Sequence, residues 1–345
     1  MKHWQKISLG IVAVIIVFVG KTLYNAGMFI NIKPHFNGSV IEINGFTGAE
    51  DITIDKAKGI ALISSNNFSD TSQNGAIFLL NINENAPKPI KLTEKITFDF
   101  HPHGISLYRS FDGAKRLFVI NHRKNADYVE VFQFNDSTLV HLESIKSSLF
   151  VSPNDIVAVS ENTFYLTNDH DEEMSSWRSK KDLLQIAMGN VCYYDGQRAK
   201  IVADGFLYAN GINVSLDGKK IFVAATSGRK IKVFDRDLTT GKLTEYDEIT
   251  INGADNIELD EYGNLWVGCH PKLLSYLAHS KDQAKLSPSE IIKINYQSKG
   301  FYTSESIYLN DGKPVSGSSV GAVFGDKLLI GTVFGNKVLL CTLKK

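Results

Sequence analysis

Five polar pairs recur along the chain at intervals of roughly fifty residues: Glu50-Asp51, His103-Gly104, Asn154-Asp155, Asn210-Gly211 and Asp255-Asn256. Brought together, they would gather carboxylate and amide oxygens with almost no Lys or Arg to neutralise them, and buried carboxylates without a counter-charge are costly. A hard cation solves this. Carboxylate, amide and carbonyl oxygens describe a calcium site, whereas zinc prefers His and Cys. Two histidines add proton chemistry, because "HPHGIS" and "INH" place His103 and His122 at the same end of two neighbouring strand-like runs. A lone His is more often structural than catalytic, but a pair beside a cation site is suited to general-base work.

Each polar pair opens the same phrase, as in "GAEDITIDKAKGIALISSNN", "HPHGISLYRSFDGAKRLFVINH", "SPNDIVAVSENTFYLTNDH", "YANGINVSLDGKKIFVAATS" and "GADNIELDEYGNLWVGCH", with a looser sixth copy in "SSVGAVFGDKLLIGTV". The phrase is a strand, a Gly- or Asp-containing turn and a second apolar strand, which reads as a hairpin. Further strands such as "KIKVFDRDL" and "VEVFQFN" fill the gaps, so each period supplies a four-stranded sheet. The expected fold is all-β, a six-bladed β-propeller whose first strands line a central channel and bring the pairs to one axis. Only "EEMSSWRSKKDLLQIAMG", residues 172–189, reads as helical, a short lid. Phe68, Tyr208 and Trp177 are the candidates for pocket or lid contacts.

The chain of 345 residues, 43% of them hydrophobic, can bury a large core. Thirty-seven basic residues balance thirty-seven acidic ones, with no basic stripe, which excludes nucleic acid as the main partner. Cys192, Cys269 and Cys341 form no C-x-x-C pair and read as buried thiols. Lys2 and Lys6 precede the uncharged run "ISLGIVAVIIVFVG", and no A-x-A-like cleavage site follows. Residues 1–30 are therefore expected to be a retained signal-anchor, with a cleaved signal as the alternative, and residues 36–345 the six-bladed β-propeller domain, held outside the cytoplasm. The G-x-S-x-G match at Gly317 to Gly321 falls within the strand-like sixth copy and not at a strand-to-helix elbow, so for ester chemistry attack by water is expected rather than by serine.

The blocks "HPHGIS", "PNDIVAV", "TNDH", "ANGIN", "DNI" followed by "LWVGCHP", and "KLLIGTVF" resemble, in type and order, the paraoxonase family of calcium-dependent lactonases and arylesterases, from about residue 36 to the C-terminus. The resemblance implies a six-bladed propeller with two calcium ions, one catalytic and one structural. It would place the catalytic ion on Glu50, Asn154, Asn210, Asp255 and Asn256, and the structural ion on Asp51, Asp155 and the backbone carbonyl of Ile105. His103 falls on the family's proposed general base and His122 on its partner, while His170 and His270 match further rim histidines. Animal members resemble one another in a disulfide that closes the ring; here Cys341 matches one end and Ser39 stands near the other, so closure is expected to rest on strand pairing. The implied substrate is a small lactone or aromatic ester. A sugar-lactonase-like hydrolase on the same scaffold, and a non-catalytic calcium-stabilised binding module, are the competing readings.

Overall fold

Short runs of Val, Ile, Leu and Phe broken by Gly, Asn and Asp favour twisted antiparallel strands over helices. The computed structural model describes residues 3–172 and 178–344. Among the described residues the strands divide into five four-stranded antiparallel groups in chain order and a sixth that the early strand Gly38–Asn44 completes. Their inner strands are Ala49–Asp55, Pro102–Arg109, Pro153–Ala158, Ala209–Val214, Ala254–Leu259 and Ser318–Phe324. Each inner strand packs against the next and the last against the first, which closes a propeller around an axis. Two additions blur the grouping. His35–Phe36 extends the fifth sheet at its outer edge, and a single pair, Thr332 with Ala49, joins the sixth sheet to the first.

The sheets are cemented by apolar side chains facing one another across each gap. Ile52, Ile63 and Leu80 of the first sheet meet Val320, Leu329 and Leu340 of the sixth, and Phe118, Ile120 and Val129 of the second meet Ile156, Phe164 and Leu166 of the third. Side chains of this size contribute about 1.5–3 kcal/mol each when fully buried. The inner strand Ala49–Asp55 is buried along its whole length, its acidic residues included. That burial makes the chemistry of its carboxylates decisive.

Ring closure is by hydrogen bonding. The strand Gly38–Asn44 near the front of the chain pairs with Lys337–Leu343 at its end, and all three cysteines are free and buried. Register places Val40, not Ser39, opposite Cys341.

Two helices sit at the rim. The stretch expected to be helical over 172–189 is helical at Arg178–Leu183, and Gly189 already opens a strand; Trp177 lies outside the described residues. The helix Leu273–Lys281 goes beyond the single lid helix expected. Lys272 precedes it without a capping side chain, so the usual start signal is missing from the sequence.

The 23-residue helix His3–Asn25 has no buried residue and is long and apolar enough to cross a membrane. Its foot is tied to the rim. Leu273 donates its amide to the Ala26 carbonyl at 3.0 Å, Asn25 Nδ2 donates to Gln185 Oε1 at 3.2 Å, and Gly27, at φ +69°, lies so close to Pro271 that a Cβ would sit 1.9 Å from its carbonyl oxygen.

Candidate metal centre and histidine pair

Every inner strand breaks register against its neighbour at the same place. The slips fall between Ala49 and Asp51, Pro102 and Ile105, Pro153 and Ile156, Ala209 and Ile212, Ala254 and Ile257, and Ser318 and Val320. A bulge bends the strand and re-aims the side chain it carries. Within these slips lie Glu50, His103, Asn154, Asn210, Asp255 and Asn256, so each recurring polar pair coincides with one. The sixth copy contributes Ser319. Glycine at two of these positions lets adjacent inner strands touch: a Cβ on Gly104 would meet the Asn154 carbonyl oxygen at 2.6 Å, and one on Gly211 the Asp255 carbonyl oxygen at 2.3 Å.

The bulged residues share a hydrogen-bond pattern that uses amide nitrogens and spares oxygens. Asn256 Nδ2 donates to Glu50 Oε1 at 2.9 Å, and Asn210 Nδ2 to Thr226 Oγ1 at 3.1 Å. Thr226 in turn donates to the Ala254 carbonyl at 2.7 Å, and Ser319 Oγ to that of Glu50 at 2.6 Å. Asp255 Oδ2 lies 2.7 Å from His270 Nε2, whose ring stacks on Tyr276 at 3.6 Å. Burial pushes the Asp255 carboxyl above its ordinary range despite that imidazole. Five buried side-chain oxygens among the described residues have no hydrogen-bond partner, and four are Glu50 Oε2, Asn154 Oδ1, Asn210 Oδ1 and Asn256 Oδ1.

Buried oxygens in native folds are nearly always satisfied. Four orphans in one bulged ring are the donor set of a hard cation, so the residues present fit calcium. Among the described residues no three His, Cys, Asp or Glu side chains gather as a metal site by themselves. The amide oxygens are therefore indispensable to this one.

Asp51 and Asp155 are placed differently. Asp51 accepts the amides of Ile52 and Ile105 at 2.8 Å each, and Asp155 those of Ile156 and Ile212 at 2.7 Å each. Each carboxylate thus clamps its own strand to an adjacent inner strand. Burial, then the Asp155 and Glu50 charges, drives the Asp51 carboxyl well above its usual range; burial does the same to Asp155 against those two amides. Two acidic groups held this close in an apolar interior are also suited to a cation.

His103 and His122 are brought together. His103 Nδ1 lies 2.9 Å from His122 Nε2, and His103 Nε2 lies 3.6 Å from Glu50 Oε1. Burial alone would lower the His103 pKa, but the Glu50 charge, with those of Asp169 and Asp255, raises it above the ordinary value. Phe68 packs edge-on to the His103 ring at 5.1 Å. Tyr208, at φ +63°, meets the His170 ring edge-on at 5.5 Å.

The family model for arylesterases matches residues 41–343, spanning all six inner strands. The chain belongs to the arylesterase family. Serum paraoxonase/arylesterase 1 of Homo sapiens is 38% identical over 307 residues, covering 82% of this chain and 83% of that one. Serum paraoxonase/arylesterase 2 of Gallus gallus is 37% identical over 301 residues, with the same coverage. Two solved structures share the propeller fold. A luciferin-regenerating enzyme superposes with a TM-score of 0.58 at 15% identity, over 89% of this chain and 95% of its own. Regucalcin of Agrobacterium tumefaciens, described as a calcium-binding protein, superposes with a TM-score of 0.53 at 14% identity, over 91% and 98%.

In this family member three polar partners escape a reading of the sequence: Ser319, Thr226 and Asp127, the last 2.7 Å from His122 Nδ1. Ser319 was within reach, since the sixth copy "SSVG" carries it at the repeat position. Asp127 belongs to a strand outside the repeated hairpin, and nothing in the spacing marks it.

Proposed function

We propose that the protein is a calcium-dependent hydrolase of lactones and aryl esters. The observation that carries this reading is the set of four partnerless buried oxygens of Glu50, Asn154, Asn210 and Asn256, with the other carboxylate oxygen of Glu50 3.6 Å from His103 Nε2. Membership of a family named for aryl esters, and relatives named paraoxonase/arylesterase, supply the substrate class. A calcium-binding protein with the same fold is in keeping with the metal. Glu50, Asn154, Asn210, Asp255 and Asn256 would hold a catalytic ion; Asp51, Asp155 and the Ile105 carbonyl would hold a structural one. Bound there, calcium supplies Lewis-acid polarisation of the substrate carbonyl and stabilises negative charge on its oxygen.

The chain itself handles the proton. His103 Nε2 takes a proton from water as the water oxygen bonds to the acyl carbon, and returns it to the alkoxide or phenoxide oxygen once the acyl–oxygen bond breaks. His122 accepts a hydrogen bond from His103 Nδ1 and steadies the imidazolium formed. Phe68 and Tyr208 shape the mouth for an apolar substrate. The helix His3–Asn25 is a membrane signal-anchor that leaves the propeller outside the cytoplasm, with its foot beside the catalytic rim.

The test is hydrolysis of an acyl lactone and a phenyl ester by the full chain, with and without chelator. Both activities should vanish on chelation and return with calcium. Undiminished turnover by metal-free protein would overturn the reading.

A further inference from the structure

His122 and Asp127 are direct partners across the hairpin that links strands Lys115–Arg123 and Ala126–Phe134. Both are partly sheltered, with side chains 32% and 21% exposed. Asp127 Oδ1 lies 2.7 Å from His122 Nδ1, and His122 Nε2 lies 2.9 Å from His103 Nδ1. These contacts form a chain whose proton positions follow from chemistry. A carboxylate can only accept, so His122 carries its proton on Nδ1. In a neutral ring Nε2 is then a lone pair, and the proton between the two imidazoles belongs to His103 Nδ1. His103 is left with a bare Nε2, the nitrogen that faces Glu50 at 3.6 Å.

We propose that Asp127 is a positioning residue which, through His122, holds His103 in the tautomer whose Nε2 can take a proton from the attacking water. The proposal rests on His103 being the base. When His103 Nε2 takes the proton, both its nitrogens bear hydrogen, and the positive charge is shared along the Nδ1–H to His122 and opposed at the far end by the Asp127 carboxylate. Without Asp127, His122 is free to carry its proton on Nε2 and donate to His103 Nδ1. The His103 proton then sits on Nε2, and the base is blocked. A purely structural hairpin contact would have no such effect on a ring one residue further along.

The test uses the 15N-labelled full chain in detergent, with calcium present, and reads the imidazole nitrogen shifts of His103 and His122 alongside steady-state kinetics. The native protein should show His122 protonated at Nδ1 and His103 unprotonated at Nε2. Asp127→Ala should move the His122 proton toward Nε2 and lower kcat roughly tenfold or more, with KM within about twofold. Asp127→Asn keeps the shape of the side chain but can offer its NH2 to Nδ1, so it should give the same reversal even if the Ala variant folds poorly; Asp127→Glu should restore the native tautomer and most of kcat. An unchanged His122 tautomer in both Asp127→Ala and Asp127→Asn would overturn the proposal. A reversed tautomer with full kcat would instead sink His103 as the base, which separates failure of this inference from failure of the function on which it rests.

Discussion

Two sets of oxygens line the same tunnel, one residue apart in sequence, and their hydrogen bonding is opposite. Glu50 and Asn154 each keep a buried oxygen without a partner, while their neighbours Asp51 and Asp155 have both carboxylate oxygens filled by backbone amides. An orphaned oxygen costs about 1–3 kcal/mol unless something else satisfies it, so a ligand at the upper set, Glu50 and Asn154, would remove a cost that the lower set, Asp51 and Asp155, does not carry. The lower set already joins neighbouring inner strands, and a cation there would add to an existing clamp. On the proposed reading the upper ring would take an exchangeable, reactive ion, and the lower pair would serve architecture.

Graded chelation tests that division most severely. If the upper set holds a substrate-facing ion as proposed, that ion should leave first and take all hydrolytic activity with it while the melting temperature falls little. A second loss, of the fold itself, should follow at stronger chelation, because calcium bound only by the native state stabilises it in proportion to the logarithm of its concentration. A single transition in which activity and structure disappear together would erase the distinction between the two sets.

Next in size come substitutions that touch one set at a time. Asn154→Ala removes an upper oxygen and should cut kcat on the order of 10³-fold, in line with losing a preorganised electrostatic group, with little change in melting temperature. Asp155→Ala unclamps Ile156 and Ile212 and should destabilise the fold by about 2–4 kcal/mol, read in a urea titration. Equal melting temperatures and equal residual activities in the two variants would mean that one undifferentiated site explains both. His103→Gln should lower kcat roughly 10²-fold, as for a lost general base, without altering bound calcium measured by metal analysis. Near-native turnover in that variant would place the base elsewhere.

The repeats made most of this legible from sequence alone. A tunnel-lining position is read once per blade, so Glu50, Asn154, Asn210 and Asp255-Asn256 announce themselves by recurring, and the same recurrence announces the propeller. What the repeats could not carry was the backbone slip at each pair. Simple strand alternation sends Glu50 and Asp51 to opposite faces, and it takes a bulge to re-aim the first of them. Asp127 was hidden because cross-strand partners are set by hairpin register, not by spacing along one strand. The helix Leu273–Lys281 was hidden by its uncapped start, and the pairing of Cys341 with Val40 by the register of the closing strands.

The smallest predicted effect lies at the rim and uses the lower clamp as its reference. His170 bridges Asp169 at 2.8 Å and Asp182 at 2.9 Å, which ties the short helix Arg178–Leu183 to the third sheet. Burial by itself lowers the His170 pKa, but its two carboxylate partners outweigh that and raise it. The folded state therefore binds this proton more tightly than the unfolded one. Its contribution is fully present below the ordinary histidine value of about 6.5 and is lost as pH rises through the raised folded value. Because the Asp182 side chain is 46% exposed, solvent screening limits the contribution to no more than about 1 kcal/mol. Amide exchange at Leu184, Gln185 and Ile186, which bond back to Lys180, Asp182 and Lys181, should accelerate across that pH range beyond the intrinsic chemical rate. The Ile105 and Ile212 amides held by Asp51 and Asp155 should keep their protection under the same conditions, since a buried carboxyl keeps acceptor capacity for an amide in either protonation state. Asp182→Asn should abolish the pH dependence at the helix and leave the clamped amides untouched. If the rim and the clamps instead loosened together, the helix would be coupled to the whole ring rather than latched by His170.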